Sequence, residues 1–393
     1  MTPSGYTEDT LVQQTTADYL QHQLGWESVY AYNNEDFGPD SLLGRTSDRE
    51  VVLIRTLRRK LIELNPDMPD EAYDDAVRQI TATAASQTIA ATNREKHDLI
   101  RDDVQVTFKN DKGKRVRQRL RVFDYNEPAS NHFLCVRELW VRGDLYRKRA
   151  DIVGFVNGIP LLFIECKNIH KNLKTAFEKN YSGYQDTIPH LFHHNAIVMF
   201  GNGEQAKIGS ITSKWEHFHD WKRLSEQEPG VVDMETLLAG VCDKRNFMDL
   251  VENFILFDEA SGETKKIIAR NHQFLGVNRA IESMRSKPQF RNMQRMDLDE
   301  AFKEEEHPFR IAIVCAMWLT GFDVPCLSTL YLDGRGVTGN FRSLKKAESR
   351  RIRNQADQGC CRWSAEKVKG EKTSGRSLAR QGGNTRLCAG DHQ

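Results

Sequence analysis

Asp151 heads one apolar run of the chain, and Glu165-Cys166-Lys167 closes the next. The stretch reads Arg149-Ala150-Asp151-Ile152-Val153-Gly154-Phe155-Val156-Asn157-Gly158-Ile159-Pro160-Leu161-Leu162-Phe163-Ile164-Glu165-Cys166-Lys167. Apolar strands rarely finish in Glu-x-Lys unless those charges have something to bind. Two carboxylates and a lysine suit one chemistry in particular: hydrolysis of a phosphodiester with a divalent cation held by the acids and a lysine beside the attacking water.

Two β-branched and aromatic segments flank Asn157-Gly158, the strongest short-range hairpin signal. Side chains alternate along a strand, so Glu165 and Lys167 share a face and Cys166 points away. Asp151 joins that face only if its cross-strand partner is an odd-numbered residue. A tight two-residue turn at Asn157-Gly158 would pair Asp151 with Ile164 and separate the acids. A three-residue loop with Gly158 in the left-handed region, or a five-residue loop ending at Pro160, restores the parity. The spacing therefore predicts an odd loop here, and a two-residue hairpin would count against a shared metal site.

The surrounding elements follow from periodicity. Thr7 to Leu24 reads as a helix, with Ala17, Leu20 and Leu24 on one face and Gly25-Trp26 as its stop. Ile54, Leu57, Leu61 and Leu64 mark a second helix that ends before Asn65-Pro66, and Asp70 to Thr83 reads as a third. From Val104 the period becomes that of a strand. After the Asn110-Asp111-Lys112-Gly113 turn, Arg115, Arg117, Arg119 and Arg121 alternate with Val116, Gln118, Leu120 and Val122. This places the guanidiniums on one strand face, either solvated or set against nucleic-acid phosphates. Phe133 to Trp140 is a strand, a helix is expected near Lys174–Asp186, and Ala196 to Phe200 is a further strand. Together these elements describe an α/β unit ending near Leu224. Residues 231–285 read as mostly helical. Phe309 to Met317 and Ser328 to Leu332 read as strands, and periodicity stops after Asp333.

With 393 residues, 28% charged and 39% hydrophobic, the chain has the composition of a folded globular protein of two or three domains. No apolar run approaches the ~20 residues needed to cross a bilayer, and the polar N-terminus carries no signal-type stretch. Both point to the cytoplasm. The eight cysteines contain no Cys-x-x-Cys pair, which argues against a zinc site or disulfide framework. His190, His193, His194, His217 and His219 lack metal-ligand spacing and read as packing or exposed residues. The net charge of +1 conceals a split. Residues 334–393 carry 14 Lys and Arg against 5 Asp and Glu, and the remainder 42 against 50.

In these residues the chain resembles the restriction (R) subunit of type I restriction-modification enzymes, collinearly over residues 6–285 and again over 297–333. Arg149-Ala150-Asp151 with Glu165-Cys166-Lys167 resembles the PD-(D/E)xK nuclease signature in the form this family uses. The resemblance implies an α/β fold with a restriction-endonuclease-like nuclease core over 1–225. A helical linker over 226–285 would follow, then an incomplete RecA-like motor fragment over 297–333 and a basic, disordered tail over 334–393. It implies Mg²⁺ held by Asp151, Glu165 and the backbone carbonyl of Cys166, with Lys167 positioning or activating the water. It also implies DNA contacts by the Gln-x-x-x-Tyr motif of the next helix. Tyr184 matches that motif, whereas Asn180, a shorter amide, stands at the glutamine position. Asn271-His272-Gln273 resembles the adenine-reading segment of the motor, with Gln273 its ATP contact, and Leu319 to Pro325 resembles a late motor motif. One segment away from such a nuclease site, Arg115, Arg117 and Arg119 become candidate DNA contacts. The implied partners are double-stranded DNA and the methylase and specificity subunits.

Other family features are missing from the sequence. No Gly-x-x-x-x-Gly-Lys-Ser/Thr phosphate loop or acidic magnesium motif lies between Arg279 and Phe309, as though a long segment were deleted near 286–296. Gly370 to Ser377 has phosphate-loop spacing with Arg for Lys, but no strand precedes it and no helix follows. The tail resembles nothing in the family, which suggests out-of-frame or rearranged sequence. The expected activity is Mg²⁺-dependent endonucleolytic cleavage of unmodified DNA by an internally deleted, C-terminally truncated subunit. The alternatives are an inactive remnant that at most binds DNA or partner subunits, and a stand-alone repair nuclease.

Overall fold

In the computed structural model the run from Phe133 to Cys166 folds into three consecutive antiparallel strands, β4 (Phe133–Arg142), β5 (Arg147–Val156) and β6 (Ile159–Cys166). The structure describes residues 8–32, 35–83, 87–109, 113–225, 227–259, 262–285, 329–333, 351–355 and 360–364. Preceding the meander are α1 (Glu8–His22), β1 (Glu27–Tyr30), α2 (Ile54–Leu64), α3 (Asp70–Thr81), α4 (Ile89–Arg101), β2 (Val104–Lys109) and β3 (Arg115–Leu120). After it come α5 (Leu173–Ala176), a wider π-type turn over Phe177–Tyr181 and α6 (Ser182–Thr187), then β7 (Ile197–Gly201) and β8 (Ala206–Gly209).

The six strands of the central sheet run in the order β1-β4-β5-β6-β7-β8. The sheet is mixed, because β1 pairs parallel with β4 and β7 parallel with β6, while the other pairs are antiparallel. All eight residues of β6 are buried, as a central strand covered on both faces requires. On one face Phe163 packs against Tyr181, Tyr184 and Phe192 from the β6–β7 crossover. The opposite face meets α1, which buries Ala17 and Leu20. A separate two-stranded ribbon, β2–β3, buries Val104, Val106 and Leu120 and leaves Arg115, Arg117 and Arg119 exposed.

Some elements escape the apolar periodicity. Helix α4 buries Thr92, Asn93, Lys96 and His97 alongside Ile100. Its inner face is held by hydrogen bonds, Asn93 Nδ2 to the Phe192 and Asn195 carbonyls and Lys96 Nζ to the Gln79 carbonyl, so no hydrophobic stripe betrays it. β1 and β8 are four residues each, too short for a period to register. Residues 231–285 hold α7 (Met234–Cys242), α8 (Lys244–Asn253) and α9 (Asn271–Arg285), but also a hairpin of β9 (Ile255–Asp258) and β10 (Lys265–Ile268). The stretch is mostly helical, as read, with the addition of that unanticipated hairpin. Its inward side is carried partly by Lys266, which is buried, so alternation is hidden.

This stretch also packs onto the body. Trp26 Nε1 donates to the Cys242 carbonyl at 2.9 Å, and the Trp26 ring meets Phe133 and Phe247. Residues 1–279 accordingly form one compact unit. In the second unit, β11 (Thr329–Asp333), β12 (Arg351–Gln355) and β13 (Cys360–Ser364) form an antiparallel sheet in the order β11-β13-β12. β12 and β13 fall in the segment read as a basic tail. The expected strand over Phe309–Met317, the Leu319–Pro325 motif and Gly370–Ser377 lie outside the described residues. Among the described residues no helix is long and apolar enough to cross a membrane.

Candidate active site

The β5–β6 turn is a two-residue turn, with Val156 paired to Ile159 and both Asn157 (φ 50°) and Gly158 (φ 83°) left-handed. This corrects the expectation of an odd loop. The turn is buried and pinned by hydrogen bonds of the Asn157 side chain and the Gly158 carbonyl, which a longer loop would displace. Asn157 Nδ2 donates to the Val122 carbonyl and to Asn131 Oδ1, while its Oδ1 accepts from His132 N. The Gly158 carbonyl accepts from Leu53 N at 2.8 Å.

The parity is restored inside the strand instead. Phe155 pairs with Pro160, but the next pair is Gly154 with Leu162, so Leu161 is an extra residue on β6. A β-bulge shifts the register by one, and proline, lacking an N–H, is at home beside one. The Leu161 carbonyl, freed from the ladder, accepts from Ala196 N at 2.7 Å and Asn195 Nδ2 at 3.3 Å. One step beyond the pair Ile152–Ile164, Asp151 stands opposite Glu165. The acids therefore share a face despite the even turn.

Their side chains meet. Lys167 Nζ lies 2.6 Å from Glu165 Oε1 and 4.0 Å from Asp151 Oδ2. Asp151 Oδ2 also accepts the Cys166 backbone N–H at 2.9 Å, tying the two strand ends together. Glu165 is fully buried, and its Oε2 finds no hydrogen-bond donor among the described residues. A buried carboxylate oxygen without a partner is costly, and a cation beside it removes that cost. Burial first, then the neighbouring Glu165 carboxylate, push the Asp151 carboxyl well above its ordinary range. Two hard oxygen donors in this condition fit a small divalent cation. The Cys166 thiol does not join them: burial raises its pKa, and strand alternation turns it to the α1 face.

The crossover covers the same face. Within it the π-type turn Phe177–Tyr181 sets Asn180 so that its Nδ2 donates to Glu165 Oε1 at 2.7 Å. Such wide turns recur at functional sites. One helical turn on, Tyr184 Oη donates to the Arg149 carbonyl at 2.8 Å, and burial raises its pKa. Asn180 and Tyr184 thus brace Glu165 and the strand before Asp151 from one helical face.

Glu138 is a site neighbour that spacing did not suggest. In the β4–β5 register it stands opposite Asp151, buried and left-handed (φ 56°), with its Oε2 2.6 Å from Arg149 Nε. A glutamate in a strand of valines, leucines and a tryptophan was the available signal. Arg115, Arg117 and Arg119 are not part of this cluster and lie on the β2–β3 ribbon. Gln273 sits in the first turn of α9, where its Oε1 accepts from Arg270 N at 2.9 Å. His97 and His194 are buried and His193 is half-buried, and desolvation lowers their pKa values to about 3, 3 and 4. Among the described residues no three His, Cys, Asp or Glu side chains gather as a metal cluster, and Cys135, Cys166 and Cys242 are free thiols.

A mixed α/β sheet with an acid pair and a lysine at the ends of adjacent strands is consistent with a nuclease-like domain. Comparison with known families gives the same direction. The profile of the type I restriction enzyme R protein N terminus matches residues 5–217, and that of type I restriction enzyme subunit R domain 3 matches residues 207–356, which corrects the expectation that nothing after residue 333 resembles the family. Among curated relatives, the type I restriction enzyme HindI endonuclease subunit of Haemophilus influenzae is 31% identical over 282 residues, 69% of this chain and 26% of that protein. A candidate type I restriction enzyme MjaIXP endonuclease subunit of Methanocaldococcus jannaschii is 25% identical over 300 residues, 70% of this chain and 27% of that protein. The chain belongs to the type I restriction enzyme R-protein family. It spans about a quarter of the length of these relatives.

Proposed function

We propose that residues 1–225 are a PD-(D/E)xK endonuclease domain that cleaves phosphodiester bonds of double-stranded DNA with Mg²⁺. The observation that carries this reading is the convergence of Asp151, Glu165 and Lys167 on one sheet face by way of the Leu161 bulge. Asp151, Glu165 and the Cys166 carbonyl would hold the ion, which supplies charge neutralisation at the phosphate and acidifies a bound water. Lys167, beside both acids, would position the attacking water by donating a hydrogen bond to it and would offset negative charge at the phosphate. Asn180 keeps the Glu165 carboxylate oriented, and the Cys166 N–H does the same for Asp151.

By its family the chain would act beside methylase and specificity subunits on unmodified DNA. The Gln273 segment and residues 297–333 would be remnants of an ATP-driven RecA-like motor whose phosphate loop the sequence lacks. Arg115, Arg117 and Arg119, exposed on the β2–β3 ribbon, would contact phosphates. The second reading, an inactive remnant, draws on the missing phosphate loop between Arg279 and Phe309.

Nicking of supercoiled plasmid by the full chain separates the two. Mg²⁺-dependent nicking that falls at least about 100-fold in Lys167→Ala supports the nuclease. Equal background in both proteins overturns it in favour of the remnant.

A further inference from the structure

Strand β5 leads from the Asp151 site to a hairpin tip whose exposure the fold itself does not explain. Leu145 and Tyr146 at the β4–β5 turn are 85% and 70% exposed. This turn is not loose. Gly143 N donates to the Tyr146 carbonyl at 2.8 Å, and Gly143 lies so close to the end of α6 that a Cβ there would fall 1.8 Å from the Thr187 carbonyl oxygen. Two large apolar side chains are therefore held out into solvent on a braced turn, without helping the core.

The residues that follow are Arg147, Lys148 and Arg149, all exposed. Among the described residues neither Arg147 nor Lys148 has a carboxylate within ion-pair distance. Arg147 lies over the Trp140 ring at 4.2 Å, and Arg149 lies over Tyr32 at 4.7 Å and Trp140 at 5.7 Å. Arg149 is also fixed by Glu138. Stacking on aromatic rings sets the guanidinium planes without consuming their charge. Arg147, Arg149 and Asp151 are alternate residues of one strand, so their side chains leave on one sheet face, and the Lys148 side chain reaches α6 of the crossover over that face, its Nζ 3.8 Å from where a Cβ on Gly183 would lie. Four residues of strand separate Arg147 from Asp151, about 13 Å. At ~3.4 Å per base pair that is roughly four base pairs of duplex.

We infer that the β4–β5 hairpin is a DNA clamp beside the cleavage site, Arg147 and Lys148 binding backbone phosphates and Leu145 and Tyr146 entering the adjacent groove of the same duplex. The inference rests on the nuclease reading and adds to it a surface that grips flanking DNA. Double-stranded DNA is the occupant that matches both parts of the surface. Two unneutralised cations suit phosphates, and apolar tips inserted at base steps are a known way to hold a groove. A protein partner would instead favour a larger apolar patch with fewer uncompensated cations.

The test is fluorescence anisotropy of a labelled mixed-sequence duplex with the full chain, Ca²⁺ replacing Mg²⁺ to prevent cleavage, across a salt series. Arg147→Ala/Lys148→Ala is expected to weaken binding about 10-fold at low salt and to lower the slope of log affinity against log salt by about two. Leu145→Ser/Tyr146→Ser is expected to weaken binding several-fold with the slope unchanged. The charge-matched control Arg245→Ala/Lys265→Ala should bind as wild type, and thermal denaturation should coincide for all four proteins. Hairpin variants that bind like wild type overturn the clamp. The nuclease reading then still stands or falls on Lys167→Ala in the nicking assay. A wild-type chain that binds no duplex at any salt overturns both.

Discussion

Asn180 Nδ2 donates to Glu165 Oε1 at 2.7 Å, on the same oxygen that Lys167 Nζ approaches at 2.6 Å. One carboxylate oxygen is thus held by an amide and an ammonium, while the other, Oε2, is left for a cation. The glutamine position of the resembled motif is filled by a shorter amide that still reaches Glu165. Groups that orient a ligand typically change metal affinity 10- to 100-fold when removed. Asn180→Ala should raise the Mg²⁺ concentration for half-maximal nicking about 10-fold, and Asn180→Asp should raise it further because a second negative charge faces Glu165. Unchanged Mg²⁺ titration curves would leave Asn180 without an orienting role.

The two-residue turn makes Gly158 sensitive. Its φ of 83° disfavours any side chain, and a Cβ would lie 2.6 Å from the Leu53 carbonyl oxygen. Gly158→Ala is expected to destabilise the protein by about 1–3 kcal/mol, read as a lower urea midpoint with an unchanged m-value.

Trp26 couples α7 and α8 to the sheet. Trp26→Phe keeps most of the ring packing but leaves the Cys242 carbonyl without its 2.9 Å donor. A loss of about 1–3 kcal/mol is expected. Limited proteolysis should then cut within 226–253 faster than in wild type, because that segment is the one released.

Buried bases make stability depend on pH, and the sign follows from linkage. Burial lowers Lys266 to about 7, although Asn93 Oδ1 and the Asn195 carbonyl both accept from it. Between about 7 and 10.5 the unfolded chain binds a proton there that the folded chain does not. Stability therefore rises with pH across that window, by at most about 1.4 kcal/mol per unit for the one group. Lys266→Met should flatten the rise in urea midpoint. His97 and His194, lowered to about 3 by burial, act likewise at lower pH: both remain neutral in the fold while the unfolded chain protonates below about 6.5. Stability should fall as pH drops from 6.5 toward 3.

The exposed ribbon offers a separate test. Arg115→Ala/Arg117→Ala/Arg119→Ala should leave the melting temperature nearly unchanged, since surface substitutions usually stay within about 0.5 kcal/mol. If these side chains meet phosphates, the salt dependence of duplex binding should drop by up to about 0.9 for each phosphate that is no longer neutralised. An unaltered slope would make the ribbon a solvated face.

Reading the chain in order recovers the strand and helix positions wherever an apolar period is sustained, as in α2 and in β4 to β6. It fails in α4, because Asn93, Lys96 and His97 are buried with polar atoms of Asn93 and Lys96 satisfied by distant carbonyls. It fails again in β10, where Lys266 occupies an inward position. Periodicity reports only burial driven by apolar side chains. Glu138 was passed over for a related reason, since its position matters only once β4 lies beside β5.

The residue types and order of Asp151, Glu165 and Lys167, and the turn at Asn157-Gly158, follow from the sequence by itself, because local chemistry and strand alternation act over a few residues. Whether the two acids meet does not. The turn is even, and strand alternation alone would separate them. Only the packed structure, in which Asn195 and Ala196 take up the carbonyl of the bulged Leu161, decides the register across the hairpin. A bulge is stable when its unpaired backbone group finds a partner, and that partner comes from another strand's approach, more than thirty residues away in the chain.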